Sequence, residues 1–477
     1  MAASFRKGLT LTLGMWLIAS AGCGRPAPGG LARGAAEGLQ ARADASSPVA
    51  VTYQTRAQLG TLARAGVDFE GFDTRRKRFR AKLTPEQFAL AQRLGLKITQ
   101  DLTGRRNQYD PQYRTYEQTV ALLRSLADKR PDLAEVVDIG DAWEKTQKRA
   151  DRDIVALRLG KKGAGKPVVL FAGCHHAREL ATPEMVLLMA EELVTRYGQD
   201  AEITGLVDQR EIWLVPMVNP DGHARAEKGA DQRKNTNNVT GGKQRIGVDL
   251  NRNYGGPDWG GAGTSSAPNA DTFGGTAAFS EPETQAMRDL MRRIKPTYLM
   301  TFHSYSNMVL WPWGYTDAPP PDPRLALVGQ KLGELSGYEA GQSGPALYAT
   351  AGDDTDWAFA ELGTLAYTVE VGGWSDGFDP PYEAVKRFWQ ENRPMMMFAL
   401  RTADHPAAAA GPEMRGGKGP KATAAELFLG RPGPSGTGQA VAPGKAPVVT
   451  SSERTLVWSH ARDARGNWGP WSITWSR

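Results

Sequence analysis

His176 and Glu179 stand three residues apart in Gly173-Cys174-His175-His176-Ala177-Arg178-Glu179, and His303 lies far downstream in Thr301-Phe302-His303-Ser304-Tyr305. Two imidazoles and one carboxylate make a donor set that binds zinc and leaves one coordination position open for water. The chain holds six histidines (175, 176, 223, 303, 405 and 460), so their placement near carboxylates is informative. A His-x-x-Glu pair alone is a weak signal, because on a surface it is usually just solvated. Further residues strengthen it. Asp249, in Gly247-Val248-Asp249-Leu250-Asn251-Arg252-Asn253-Tyr254, can accept the second ring N–H of a liganding histidine and fix its tautomer. Asn251 and Arg252 put an amide beside a planar guanidinium, a pairing suited to a carboxylate. Glu370 ends an apolar run in Tyr367-Thr368-Val369-Glu370-Val371, where burying an unused charge is costly. Cys174 raises the question of a thiolate ligand or nucleophile, although at a strand end a buried structural thiol is the expectation.

These residues need elements that bring them together from distant parts of the chain. From residue 108 onward the pattern alternates between strand and helix. Helical spacing runs over 116–127, strands over 153–159 and 167–171, and Thr182-Pro183-Glu184 opens a helix reaching about residue 197. Further strands are expected at 211–217, 297–302 and 364–371, with helices at about 282–294 and 382–400. Such alternation predicts an α/β fold with a mixed, mostly parallel central sheet and helices on both faces. His176, His303 and Glu370 then fall at or just past the C-terminal ends of strands, where ligand sites collect in open α/β sheets.

The rest of the 477 residues reads as accessory. A signal peptide is expected over 1–23: Arg6 and Lys7 precede an apolar run from Leu9 to Ala21 that is short for a membrane span. The protein is therefore expected to be exported, with cleavage after Ala19-Ser20-Ala21 and a lipid anchor at Cys23 both open. A spacer over 24–47 leads to a small α/β unit over 48–106, with a strand at 49–53 and a helix opened by Thr84-Pro85-Glu86-Gln87. The dibasic loop Gly104-Arg105-Arg106-Asn107 closes that unit before the main domain at 107–403. An Ala/Gly/Pro-rich linker over 404–447 precedes a short β-rich segment over 448–477. Net charge is +6, and no nucleic-acid motif accompanies the basic run Arg75-Arg76-Lys77-Arg78-Phe79-Arg80. No nucleic-acid partner is expected, and the run reads as a solvated strand face or a protease-sensitive loop. Gly160 to Lys166 has the spacing of a phosphate-binding loop. That chemistry needs Ser or Thr where Pro167 stands, and a helix where a strand is expected, so a lysine-rich hairpin turn is the better reading.

The segments around His176 and Glu179, Asn219-Pro220-Asp221-Gly222, Gly247 to Tyr254, Phe279-Ser280-Glu281-Pro282-Glu283-Thr284, His303-Ser304-Tyr305 and Thr368-Val369-Glu370 resemble, in this order, those of the zinc metallocarboxypeptidases of the carboxypeptidase A and T type. The likeness spans about residues 108–402. It implies a carboxypeptidase-like fold in which His176, Glu179 and His303 hold one Zn²⁺ per catalytic domain. Glu370 would serve as general base on the attacking water and return the proton to the leaving amine. Arg178 would polarise the scissile carbonyl. Asn251, Arg252 and Tyr348 would grip the free carboxylate of peptide or protein C-termini, with Tyr348 as a mobile cap. Thr355 falls at the base of the specificity pocket, with Asp353 and Asp354 close enough to accept a basic side chain through water. Broad or hydrophobic specificity with tolerance of Lys and Arg follows. The 48–106 unit stands where the family carries a propeptide, which implies a zymogen, and a monomer is expected. In one place the chain departs from the pattern. An Arg-Lys-x-Arg run supplies the family's oxyanion stabiliser, and here Arg233-Lys234-Asn235-Thr236 ends in threonine. Losing one such donor typically costs about 2.7–4 kcal/mol. Substitution by Arg233 or Lys234, reliance on Arg178, and reduced activity all stay open. Two other readings stand beside the exopeptidase: a cell-wall peptide peptidase on the same fold, and a weakly active or inactive peptide-binding homologue.

Overall fold

Three inner strands are apolar along nearly their whole length, which is what a sheet covered on both faces requires. In the computed structural model they lie at the centre of an eight-stranded sheet. Its strands are β5 (Ala134–Asp141), β6 (Asp153–Leu159), β7 (Val168–Gly173), β8 (Glu211–Val215), β9 (Tyr298–His303), β10 (Met308–Trp311), β11 (Glu339–Gln342) and β12 (Leu365–Glu370); β1 to β4 belong to the N-terminal unit. Their order is β11-β10-β12-β9-β7-β8-β6-β5. Pairing is parallel from β8 through β7 and β9 to β12 and between β10 and β11, and antiparallel elsewhere. The expected mixed, mostly parallel sheet is observed. The structure describes residues 48–101, 109–161, 163–240, 246–414, 419–444, 449 and 453–476. The expected signal peptide, spacer, Cys23 anchor and Arg105-Arg106 loop lie outside the described residues.

Alternation along the strands sorts side chains to two faces. Val169, Phe171, Met300, Phe302, Tyr367 and Val369 join one core with the helices Ala181–Arg196 and Glu383–Thr402. Leu170, Ala172, Leu299 and Ala366 join the other, under Met287, Leu290 and Met291 of the helix Pro282–Ile294. After Gly160 to Lys166 the chain enters β7, not a helix, as the reading of that stretch as a turn requires.

The N-terminal unit is a four-stranded sheet of order β2-β3-β1-β4, from β1 (Val49–Thr52), β2 (Phe69–Asp73), β3 (Arg78–Ala81) and β4 (Lys97–Gln100). The helices Arg56–Arg64 and Pro85–Arg93 pack on it, and the second is opened by Thr84, which accepts from the Gln87 amide at 3.3 Å. At the other end the structure corrects the sequence reading. The stretch expected to be a linker over 404–447 carries β13 (Ala422–Leu429) and β14 (Gln439–Val441). These join β15 (Leu456–Asp463) and β16 (Ser472–Trp475) in an antiparallel sheet of order β14-β13-β15-β16. The Ala/Gly/Pro-rich surroundings hid a strand whose buried apolar side chains, Ala425 and Leu427, are few. This sheet leans on the helix Ala201–Gln209, where Gly205 permits close approach: a Cβ there would stand 2.9 Å from Ile473 Cγ2. Among the described residues no helix is long and apolar enough to cross a membrane.

Candidate metal centre

His303 and Glu370 are the last residues of the neighbouring parallel strands β9 and β12 and face each other in register. His176 and Glu179 follow β7, which pairs with β9 on its other side. The chain turns there through Cys174, whose φ of 58° lies in the left-handed region and whose amide donates to Thr182 Oγ1 at 3.0 Å. Asn219 Nδ2 fixes the turn by donating to the His175 carbonyl at 3.1 Å.

Three buried donors converge. His176 Nδ1 is 2.7 Å from Glu179 Oε1, His303 Nδ1 is 3.3 Å from Glu179 Oε2, and the two Nδ1 atoms are 3.2 Å apart. Donor atoms from all three residues lie within 4.8 Å of one another. On the outer side, His176 Nε2 is 3.2 Å from Asp249 Oδ1. That carboxylate acceptor favours the proton on Nε2 and leaves the Nδ1 lone pair pointing inward. Asp249 is held in place by Arg233, whose Nε and Nη2 donate to Oδ2 at 3.0 and 2.9 Å, and it caps the short helix Leu250–Arg252. Two inward imidazole nitrogens and a carboxylate, buried together, are a poor arrangement without a cation and a good one for zinc.

The charges follow from burial and proximity. Burial opposes ionisation of Glu179, yet His176 and His303 hold its carboxyl well below the usual range. Burial opposes ionisation of Glu370 as well and, with Glu179 close by, pushes its carboxyl up to about 8 against the pull of Arg233 and Arg252. The Cys174 thiol is driven well up by burial, so it stays protonated and is a structural core residue.

One cavity is lined by the three donors and also by Glu370, Arg233, Asn251, Arg252, Tyr348 and Thr355. Asn251 accepts from the Asp354 amide at 3.2 Å, and Arg252 Nε donates to the Gly263 carbonyl at 3.0 Å. Thr355 Oγ1 donates to Asp353 Oδ1 at 2.8 Å, and both residues line the cavity. Where threonine replaces the expected arginine, the geometry distinguishes the substitutes. Lys234 turns its ammonium to the carbonyls of Pro268 and Ala270, at 2.9 Å each. Arg233 Nη1 lies 3.4 Å from His176 Nδ1, beside the donor set.

Arg178 is buried next to this cavity, between Asp231 and Phe378 of the catalytic domain and two acids of the N-terminal unit. Asp68 Oδ2 accepts from its Nη2 at 2.7 Å, and Glu70 lies 3.9 Å away. Asp68 also stands 3.8 Å from Arg233. Phe69 and Phe72 lie 4.2 and 5.8 Å from the Tyr348 ring, and Phe69, Glu70 and Gly71 wall the cavity. The sequence reading missed Asp68 and Glu70. Their two-residue spacing, which puts both acids on one strand face, was the available signal. It also took the basic run as solvated, whereas Arg80 is 2% exposed.

Residues 119–395 match the family described as zinc carboxypeptidase. The chain is 34% identical over 273 residues to the carboxypeptidase B of Astacus astacus, covering 54% of this chain and 86% of that one. It is 32% identical over 275 residues to the metallocarboxypeptidase A of Arthroderma otae, again 54% of this chain but 63% of that protein's length. The carboxypeptidase A of Helicoverpa armigera superposes with a TM-score of 0.64 over 75% of this chain and 97% of that one. At 23% identity, that likeness bears on the fold alone.

Proposed function

The chain belongs to the zinc carboxypeptidase family and is a metallocarboxypeptidase, and from that premise we propose that it removes the C-terminal residue of peptides, with Glu370 as general base. The convergence of His176, Glu179, His303 and Glu370 in one cavity with Asn251 and Arg252 carries this reading. Zinc, when held by His176, Glu179 and His303, supplies the Lewis acidity that eases ionisation of a water. Glu370, set in register beside His303, takes the proton of that water and later gives it to the leaving amine. Asn251 and Arg252 bind the substrate's terminal carboxylate, and Tyr348 closes over the bound residue. Arg233 fills the role of the missing oxyanion donor, assisted by Arg178. Thr355 makes a small, mildly polar pocket floor and Asp353 lies next to it, so hydrophobic C-terminal residues are taken and Lys or Arg tolerated. The 48–106 unit, with Asp68 and Glu70 on Arg178 and aromatic rings on Tyr348, keeps the cleft closed until it is cut. The protein is exported and works as a monomer.

Blocked dipeptides ending in Phe, Leu, Lys and Glu test this, assayed with and without a chelator. Activity should vanish with the chelator and return with Zn²⁺. Glu370→Gln should lower kcat by roughly 10²–10⁴-fold with zinc content unchanged. Full activity in that variant overturns the general-base assignment, and fastest cleavage after Glu overturns the specificity.

A further inference from the structure

The strands that cover the cleft make two kinds of contact with the catalytic domain. Near the metal donors, acids meet cations, as Asp68 and Glu70 do on Arg178. Farther along the same sheet a cation meets aromatic rings. Arg80 Cζ lies 4.6 Å from the centroid of the Trp374 ring and 5.3 Å from that of Tyr305. Its Nη1 donates to Tyr305 Oη at 2.6 Å, and its Nη2 donates to the Trp374 carbonyl at 3.2 Å. Arg78 Cζ stands 4.2 Å from the same indole. An arginine is rarely buried this deeply unless partners receive it; its own unit supplies the Asp101 carboxylate, and the catalytic domain supplies a phenol oxygen, a carbonyl and two ring faces. Tyr305 lines the cavity of His176, Glu179, His303 and Glu370. Trp374 follows Glu370 by four residues. Neither belongs to the group around Asn251 and Arg252 assigned to the substrate's terminal carboxylate.

We propose that, with the 48–106 unit removed, Tyr305 and Trp374 form a subsite for an arginine or lysine side chain on the N-terminal side of the scissile bond. Peptides with a basic residue upstream of the C-terminus are then preferred substrates. The inference rests on the reading of the chain as an exopeptidase opened by loss of that unit. Arg80 occupies the subsite in the closed protein, and a substrate guanidinium takes its place in the open one. A planar, delocalised cation suits the site better than a compact ammonium, because it can stack on the indole while donating to both oxygens. Arginine should therefore outrank lysine.

The test uses protein treated with trypsin, from which trypsin is then removed. Blocked tetrapeptides share a C-terminal Phe and carry Arg, Lys, Ala or Glu at each of the two positions before the residue that donates the scissile carbonyl, and at that residue itself. At one position Arg should raise kcat/KM over Ala by about twofold to thirtyfold, the range of a cation–π contact from exposed to desolvated. Trp374→Ala and Trp374→Leu should both bring the Arg-to-Ala ratio towards one. A ratio of one at every position in the parent enzyme overturns the proposal, and so does a preference for Arg that survives both substitutions. Failure to hydrolyse any of the peptides would instead strike the exopeptidase reading beneath it, and the subsite with it.

Discussion

Asp354 is fully buried, with His175 Nε2 3.5 Å from its Oδ2. Burial, and then the neighbouring Asp353, push its carboxyl up to about 8. An unfolded chain gives up this proton near pH 3.9. Between those two values the folded protein holds a proton that the unfolded one has lost, so the stability this group contributes below pH 4 drains away as pH rises towards 8. Asp354→Asn keeps the shape and removes the titration. Denaturant unfolding should show the variant gaining on its parent from pH 5 to pH 8, by on the order of 3 kcal/mol. A difference that is flat with pH would show Asp354 to be ionised throughout. Arg233 offers a second test at this scale. Arg233→Met should lower kcat/KM by about 10²–10³-fold if the guanidinium replaces the family's oxyanion donor. Because Arg233 also braces Asp249, zinc affinity by chelator competition must be measured alongside. A loss of rate explained wholly by lost metal would make Arg233 a positioning residue only.

On the proposed reading, latency rests on the pair β2 and β3 and the residues just before them. Asp68 is buried against two arginines, 2.7 Å from Arg178 and 3.8 Å from Arg233, and a buried charge pair broken on one side leaves the other uncompensated. Asp68→Asn with Glu70→Gln should loosen this docking. The ratio of activity after trypsin to activity before it should fall about tenfold, since weakening a buried pair by ~1.4 kcal/mol shifts a binding equilibrium by that factor. An unchanged ratio would place the latency in the aromatic contacts of Phe69 and Phe72 with Tyr348. The clamp also marks the limit of what the sequence disclosed. The candidate metal donors and their strands were legible because zinc restricts the residue types, and a central strand needs an unbroken apolar run, as in Val168–Gly173. Asp68 and Glu70 look like any solvated strand alternation, and only the partner surface makes them ligands for Arg178. Arg80 misled for the same reason: burial by another unit leaves no local signature. The strand Ala422–Leu429 was hidden differently, by low-complexity flanks that dilute the periodicity of its eight residues.

Across the whole molecule the C-terminal sheet is a structural extension of the catalytic core. Trp458, Trp471 and Ile473 belong to the same continuous apolar cluster as Phe171 and Phe302, and β16 lies against the helix Ala201–Gln209. Behind them His460 is stacked between Trp468 and Trp471, with ring centroids 4.4 and 3.7 Å away, and its Nε2 is 2.7 Å from Glu426 Oε1. Glu426 in turn accepts from the amides of Gly436 and Gly438 at 2.7 Å, tying the β13–β14 connection to β15. A sheet sharing one core with the catalytic domain should unfold with it. Trp458→Ala deletes a fully buried indole and should cost about 3–5 kcal/mol. Because that indole also packs over Gly205, the loss should lower the single melting transition of the whole protein, including the metal centre. Calorimetry followed in parallel by zinc release would check this. An early transition that frees no zinc, followed by the parental one, would show instead that β13 to β16 fold as an independent domain.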